Sequence, residues 1–171
     1  MKNETKTGLV VAVTLAALAV SGGAMFIGSG IYNIGADDHH TKFVLAVIER
    51  LRDRSIEART RRVEVHTVSD PSRIAAGAQH YAALCVTCHL APGVTKSDLR
   101  PGLYPHPPNL AQEEIPAEQR AFWIIKHGIK MSAMPAWGKT LDDAAIWDLV
   151  AFVRKLPAMT PETYAQLSNG R

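Results

Sequence analysis

Residues 7–36 contain no charged side chain, and this run constrains the fold more than any other feature of the chain. A helix needs roughly 20 apolar residues to cross the hydrocarbon core of a bilayer. Inside that core a helix satisfies its own N–H and C=O groups, whereas irregular backbone exposed to lipid cannot. Residues 9–20 are dense in Val, Leu and Ala, and residues 25–34 extend the run with a glycine-rich tail. Residues 1–36 therefore read as a transmembrane anchor. A cleaved signal peptide is the rival reading, with Ala17-Leu18-Ala19 as the small-x-small site. Cleavage there would leave an N-terminus still apolar for many residues, so the uncleaved anchor is expected. Lys2 and Lys6 precede the run, which keeps its start on the cytoplasmic side and exports the chain beyond it. The expectation is a single pass through the inner membrane, with the rest of the chain periplasmic. Ala24 and Gly28 form a small-xxx-small pair that would let another helix approach closely.

Residues 37–69 read as a connector. It opens on the polar cluster Asp37-Asp38-His39-His40. Phe43, Val44, Val47, Ile48 and Leu51 then recur at three- and four-residue steps, which predicts an amphipathic helix over 41–59. Arg50, Arg52, Arg54 and Arg59 lie on its other face. That face is either plain solvated surface, with the apolar side laid on the domain or the membrane, or a docking surface for a partner complex or anionic lipid.

Residues 70–171 form the remaining domain. Asp70 caps and Pro71 opens a helix over 71–84, with Ile74, Ala78, Tyr81 and Ala82 on one face. A loop rich in Pro and Gly fills 91–109. A further helix starts at Pro116, is filled by Phe122, Trp123 and Ile125, and ends at Gly128. The last helix is expected over 141–156, with Ile146, Leu149, Val150 and Val153 inward and Pro157 as its stop. No strand pattern occurs, so the fold class is all-α. Charge in this domain is nearly balanced, ten basic against nine acidic residues, while residues 42–64 carry seven against four. A net charge of +3 gives no case for nucleic-acid binding.

The only two cysteines sit three apart, in Cys85-Val86-Thr87-Cys88-His89. A disulfide across so short a loop would remove little chain entropy. C-x-x-C-H is the attachment signature of haem c. Two cysteines on one helical turn point the same way, so both sulfurs reach the vinyl groups of one porphyrin, and the adjoining His89 is held beneath the iron. A thioredoxin-like dithiol wants a βαβ context, which is missing. A structural zinc site wants a second ligand pair, and only isolated His106 and His127 are available. One covalently attached haem c, with its iron, is the expected cofactor.

A methionine thioether on the far side of the iron would saturate it and favour electron transfer. Met131 and Met134 both lie in the loop after Gly128. Met134 is favoured, because Pro135 stiffens the segment behind it. Trp123 and Trp147 read as core. Trp137 either covers a haem edge or bonds a propionate through its indole N–H. His39, His40, His66, His80, His106 and His127 read as surface or packing residues.

The domain resembles a class I c-type cytochrome over residues 70–158. Four separated motifs carry the likeness in order: Gly77-Ala78 and Tyr81 before Cys85–His89, then Pro108-Asn109-Leu110, then the segment 128–138 with Met134-Pro135-Ala136-Trp137, then the segment 147–153 from Trp147 to Val153. The resemblance implies the class I cytochrome c fold, here preceded by a transmembrane helix and an amphipathic connector helix. Its first and last helices should cross near Gly77 and Tyr81. It implies His89 and Met134 as axial ligands, and Asn109 and Trp137 as further haem contacts. A proline carbonyl should receive the His89 ring N–H; Pro92 is very close to His89 and Pro101 is much further on, so the acceptor stays open.

These readings point to an electron-transfer protein rather than an enzyme, working with redox protein partners such as a membrane dehydrogenase or oxidase complex. A haem peroxidase or haem-based sensor with a labile sixth ligand is the alternative.

Overall fold

The computed structural model describes residues 2–66, 69–115 and 117–169. Among the described residues there are seven α-helices and no strand, apart from one isolated bridge between Ala91 and Val94. The chain divides into two units, Met1–Asp38 and His39–Arg171.

The first unit is α1 (Lys2–Ser29) and a short tail. Its stretch Thr5–Ser29 has 25 residues, and the most apolar 18-residue window in it has a mean hydropathy of 2.2. At 1.5 Å per residue the whole stretch is about 38 Å of helix, more than the ~30 Å of a hydrocarbon core. Its large apolar side chains are exposed on every face, for example Leu9, Val13, Leu18 and Phe26, which suits a lipid surround and not water. The helix stops earlier than the uncharged run does. Gly30 takes the left-handed conformation (φ +62°), and beyond it the backbone is pinned locally: the Gly35 amide donates to Asn33 Oδ1 (2.9 Å) and the Asn33 side-chain amide to Asp38 (3.0 Å).

The second unit begins with α2 (Lys42–Thr60), whose first turn is capped by the Thr41 hydroxyl accepting from the Val44 amide. Then come α3 (Pro71–Leu84) and the single turn α4 (Val86–His89). α5 (Glu118–His127), α6 (Asp143–Val153) and α7 (Pro161–Ser168) complete it. The expected start of α5 at Pro116 lies outside the described residues; the helix itself begins at Glu118.

The core is the crossing of α3 and α6. Gly77 makes it possible: a Cβ there would lie 2.0 Å from the Asp148 carbonyl oxygen, so only a glycine lets the two backbones approach this closely. Tyr81 packs its ring on Phe152 (5.2 Å between centroids) and both are fully buried. Arg73 and Asp148 close the edge with an ion pair at 3.0 Å. The expected crossing near Gly77 and Tyr81 is thus present. A second cluster joins α5 to α6, with Phe122 stacked on Trp147 at 4.5 Å, a pair worth about 1 kcal/mol beyond the area it buries.

Two expectations are corrected. The helix expected over 141–156 spans only Asp143–Val153, because Asp142 caps it from outside by accepting from the Ala145 amide. Nor is it the last helix. After a 3-10 turn at Leu156–Ala158, α7 starts behind Thr160, whose hydroxyl takes the Thr163 amide, and it buries Tyr164 against Phe152. The second correction concerns α2. It meets the domain through Ile56, which is buried, and through Asp53, which accepts from Arg120 at 2.8 Å. Arg50 and Arg54, expected on the opposite face, line the same groove as Phe43, Val47 and Leu51, because positions 43, 47, 50, 51 and 54 fall on one side of a helix. On α2 Arg52 pairs with Asp53 and Arg54 with Glu57, which Arg61, just past the helix end, also reaches.

Candidate functional site

The Cys85–His89 turn grows directly from the C-terminus of α3. The Cys85 amide still donates to the Tyr81 carbonyl (2.9 Å), while the Cys88 and His89 amides both donate to the Cys85 carbonyl (3.1 and 2.9 Å). The turn is closed by Leu90, a non-glycine residue at φ +60°. Such a conformation costs on the order of 1–3 kcal/mol unless its surroundings hold it. Here the Leu90 amide donates to Val86 (2.9 Å), the Tyr81 hydroxyl donates to the Leu90 carbonyl (2.6 Å), and the side chain is buried. The core that fixes α3 therefore also fixes the turn.

Cys85 and Cys88 are not joined to each other. Burial, and secondarily the neighbouring Cys88, push the Cys85 thiol up to about 12, so it is neutral at ordinary pH. Burial also pulls His89 below the usual imidazole range, against the opposing pull of its bond to Pro108. Its Nδ1 lies 3.0 Å from the Pro108 carbonyl oxygen. A carbonyl can only accept, so Nδ1 carries the proton and Nε2 keeps a free lone pair, the form in which histidine binds a metal.

Pro108 is the acceptor left open by the sequence. The loop bearing it is tied back to the turn by the Leu110 amide, which donates to the His89 carbonyl (3.1 Å). Asn109 uses its side-chain oxygen to accept from the Ala111 amide (3.1 Å) and its backbone amide to donate to Glu113 (2.9 Å). It thus shapes the loop that presents Pro108. Two residues missed in the sequence stand out nearby. Arg100 donates from one terminal nitrogen to the Pro107 carbonyl (2.7 Å), while its Nε and the Tyr104 hydroxyl are buried and without a protein partner. Buried donors without partners cost on the order of 1–3 kcal/mol each. The carboxylates of a haem would satisfy both.

Met134 and Trp137 lie on the connection between α5 and α6. Gly128 ends α5 in the left-handed region (φ +64°), and a Cβ on it would sit 2.6 Å from the Met134 carbonyl oxygen. The Ile129 amide donates to that same carbonyl (3.2 Å). Ser132 bridges the loop, donating to the Ile129 carbonyl (2.8 Å) and accepting from the Met134 amide (3.2 Å). Met134 is thereby braced from both sides and half-buried. Met131 stands at the apex, 95% exposed. Trp137 is half-buried and opens the 3-10 turn Trp137–Lys139. No hydrogen bond or ring contact joins Met134 or Trp137 to the Cys85–His89 turn among the described residues.

This donor set fits a haem c: a neutral imidazole with a free Nε2, two uncrosslinked thiols on one turn, a braced thioether, and two buried polar atoms awaiting an anion. It does not fit zinc, since no three His, Cys, Asp or Glu side chains gather among the described residues. Trp147 is buried as expected; Trp123, also expected in the core, is only half-buried because it sits at the edge of α5, packed on His127 at 4.8 Å.

Residues 72–153 match the family model described as cytochrome C oxidase, cbb3-type, subunit III. Neither the curated proteins nor the solved structures give a match.

Proposed function

We propose that residues 72–153, which match the family model described as cytochrome C oxidase, cbb3-type, subunit III, form a class I c-type cytochrome domain, and that this chain is a single-haem electron carrier. It is held by α1 in the cell inner membrane, has its haem domain on the periplasmic side, and passes single electrons between redox proteins. The matched family's description names an oxidase subunit, and a membrane oxidase or dehydrogenase complex is the partner class we assign.

The bond from His89 to the Pro108 carbonyl carries this reading most directly. It sets the tautomer, aims Nε2, and makes the imidazole a stronger donor. A bound haem c supplies a one-electron iron couple whose potential a thioether ligand raises. Cys85 and Cys88 hold it through their sulfurs. Met134 would provide that thioether from a loop braced by Ser132 and Ile129. Arg100 would neutralise a haem carboxylate, the Tyr104 hydroxyl could donate a hydrogen bond to one, and Trp137 would shield the group from water.

Attachment is tested on a denaturing gel stained for haem peroxidase activity. Wild-type protein should keep its stain. Cys85→Ser combined with Cys88→Ser should lose it, and a double variant that still stains would overturn the assignment.

A further inference from the structure

α2 has two opposed faces with different fates. One carries Asp53 and Ile56 onto the haem domain, where Ile56 is 3% exposed and Asp53 pairs with Arg120. The other is bare: Phe43, Val47 and Leu51 are 78%, 52% and 71% exposed. These three, with Ala46, Arg50 and Arg54, line one shallow open groove along the helix axis. Apolar side chains and two arginines share this one face of the helix, a combination that a lipid headgroup layer accommodates when the arginine heads reach up to the phosphates. Arginine suits that position, since its stem can lie along apolar surface while its guanidinium reaches phosphate.

We infer that the N-terminal half of α2 beds into the surface of an anionic bilayer, with Phe43, Val47 and Leu51 inserted and Arg50 and Arg54 on lipid phosphates. This inference rests on the reading of α1 as an uncleaved anchor.

Three observations favour a membrane over a protein. The span ends at Ser29 and α2 begins at Lys42, so the residues between them reach at most about 45 Å when fully extended. With α1 in a bilayer, the start of α2 stays within that reach of its surface. Both charged residues lining the groove, Arg50 and Arg54, are basic, which complements phosphate; the Arg54–Glu57 pair at 2.9 Å is exposed and worth little enough to yield to it. The groove is lined by six residues, against the roughly 20–30 residues and ~800 Å² that a stable protein interface takes from each partner. A tethered helix needs no such area, because the tether supplies a high effective concentration of lipid. The consequence is a haem domain restrained in its swing above the membrane.

The test uses the full-length holoprotein in nanodiscs of phosphatidylcholine, alone or mixed with phosphatidylglycerol. The photoreactive residue p-benzoylphenylalanine is placed at Phe43 or Leu51, or at Gln166, an exposed position on α7, as the reference. An unchanged Soret band certifies folding. Adducts are identified by mass spectrometry after illumination. Lipid adducts at positions 43 and 51 should exceed those at 166 roughly five-fold in the phosphatidylglycerol discs and fall when salt is raised. Adducts to a second copy, or lipid adducts no more frequent than at 166, would overturn the inference. Equal yields with and without phosphatidylglycerol would overturn the role given to the arginines. Carbonate washing is run in parallel: a chain stripped from the bilayer sinks the anchor reading and this inference with it, whereas a retained chain without lipid adducts sinks this inference alone.

Discussion

Replacing Gly77 with alanine should be among the most damaging single changes in the haem domain, although alanine is the better helix former. In an exposed helix interior the change would gain about 1 kcal/mol. Here the new Cβ would lie 2.0 Å from the Asp148 carbonyl oxygen and 2.8 Å from Phe152 Cβ, where ordinary contact begins at 3.4 Å. The obstacle is the backbone of α6, which no rotamer change can move aside. Restoring normal contact needs about 1.4 Å of added separation between α3 and α6. A gap of 0.5–1 Å already forfeits about a quarter to a half of the dispersion energy of the atoms facing it. Overpacking of a well-filled core typically costs about 1–3 kcal/mol and occasionally more. A backbone obstacle places this site at the upper end, so the net loss should be about 3 kcal/mol, or roughly 10–15 °C in Tm for a domain near 100 residues. Guanidinium unfolding of detergent-solubilised holoprotein, followed by helical circular dichroism and by the Soret band, measures it. Gly102→Ala is the control, because a Cβ there meets nothing within 4 Å. A Gly77→Ala variant as stable as wild type, or more stable, would refute the close crossing.

Met134→Ala should convert a low-spin spectrum toward high spin, open the iron to carbon monoxide and lower the potential, while Met131→Ala leaves all three unchanged because that side chain is 95% exposed; the reverse pattern would move the ligand to Met131. Arg100→Leu should lower the midpoint potential by roughly tens of millivolts, since a nearby positive charge favours the reduced state; a potentiometric titration showing no shift would separate Arg100 from the haem carboxylates.

The sequence was most informative where a local rule acts alone. α3 runs over Pro71–Leu84 as expected, because an aspartate cap and a first-turn proline fix its start, and the Cys85–His89 turn declares its chemistry by spacing. The bracing of Met134 was half visible: Pro135 could be read, but the Ser132 bridge and the backbone contact at Gly128 depend on a fold not yet known. Pro108 was hidden for a different reason, since a carbonyl acceptor belongs to the backbone and leaves no side-chain signature. Arg100 and Tyr104 looked like loop polarity until burial set them apart. α7 escaped because eight residues bearing only Tyr164 and Leu167 as large apolar groups are too few to establish a period, although Thr160 and Pro161 did offer a start signal. On α2 the periodicity marked apolar positions correctly and said nothing about what would cover them. Two opposed faces carry such residues, and only the one with Ile56 meets the domain.

The burial of Cys85 also sets a clock. The side chain packs against a cluster that includes Phe152, Leu156 and Tyr164, all far downstream; the Arg73–Asp148 pair that locks the same crossing joins residues 75 apart. α3 and its cysteine turn precede α6 and α7 in the chain, so if the chain is exported N-terminus first the turn arrives before the residues that pack on Cys85. Cys85 would then be open until α6 and α7 follow and leave it half-buried. Covalent loading, on the proposed function, would be easiest in that interval. Any change that hastened the docking of α6 and α7 would shorten that interval, trading a better-folded empty protein for a lower yield of the loaded one.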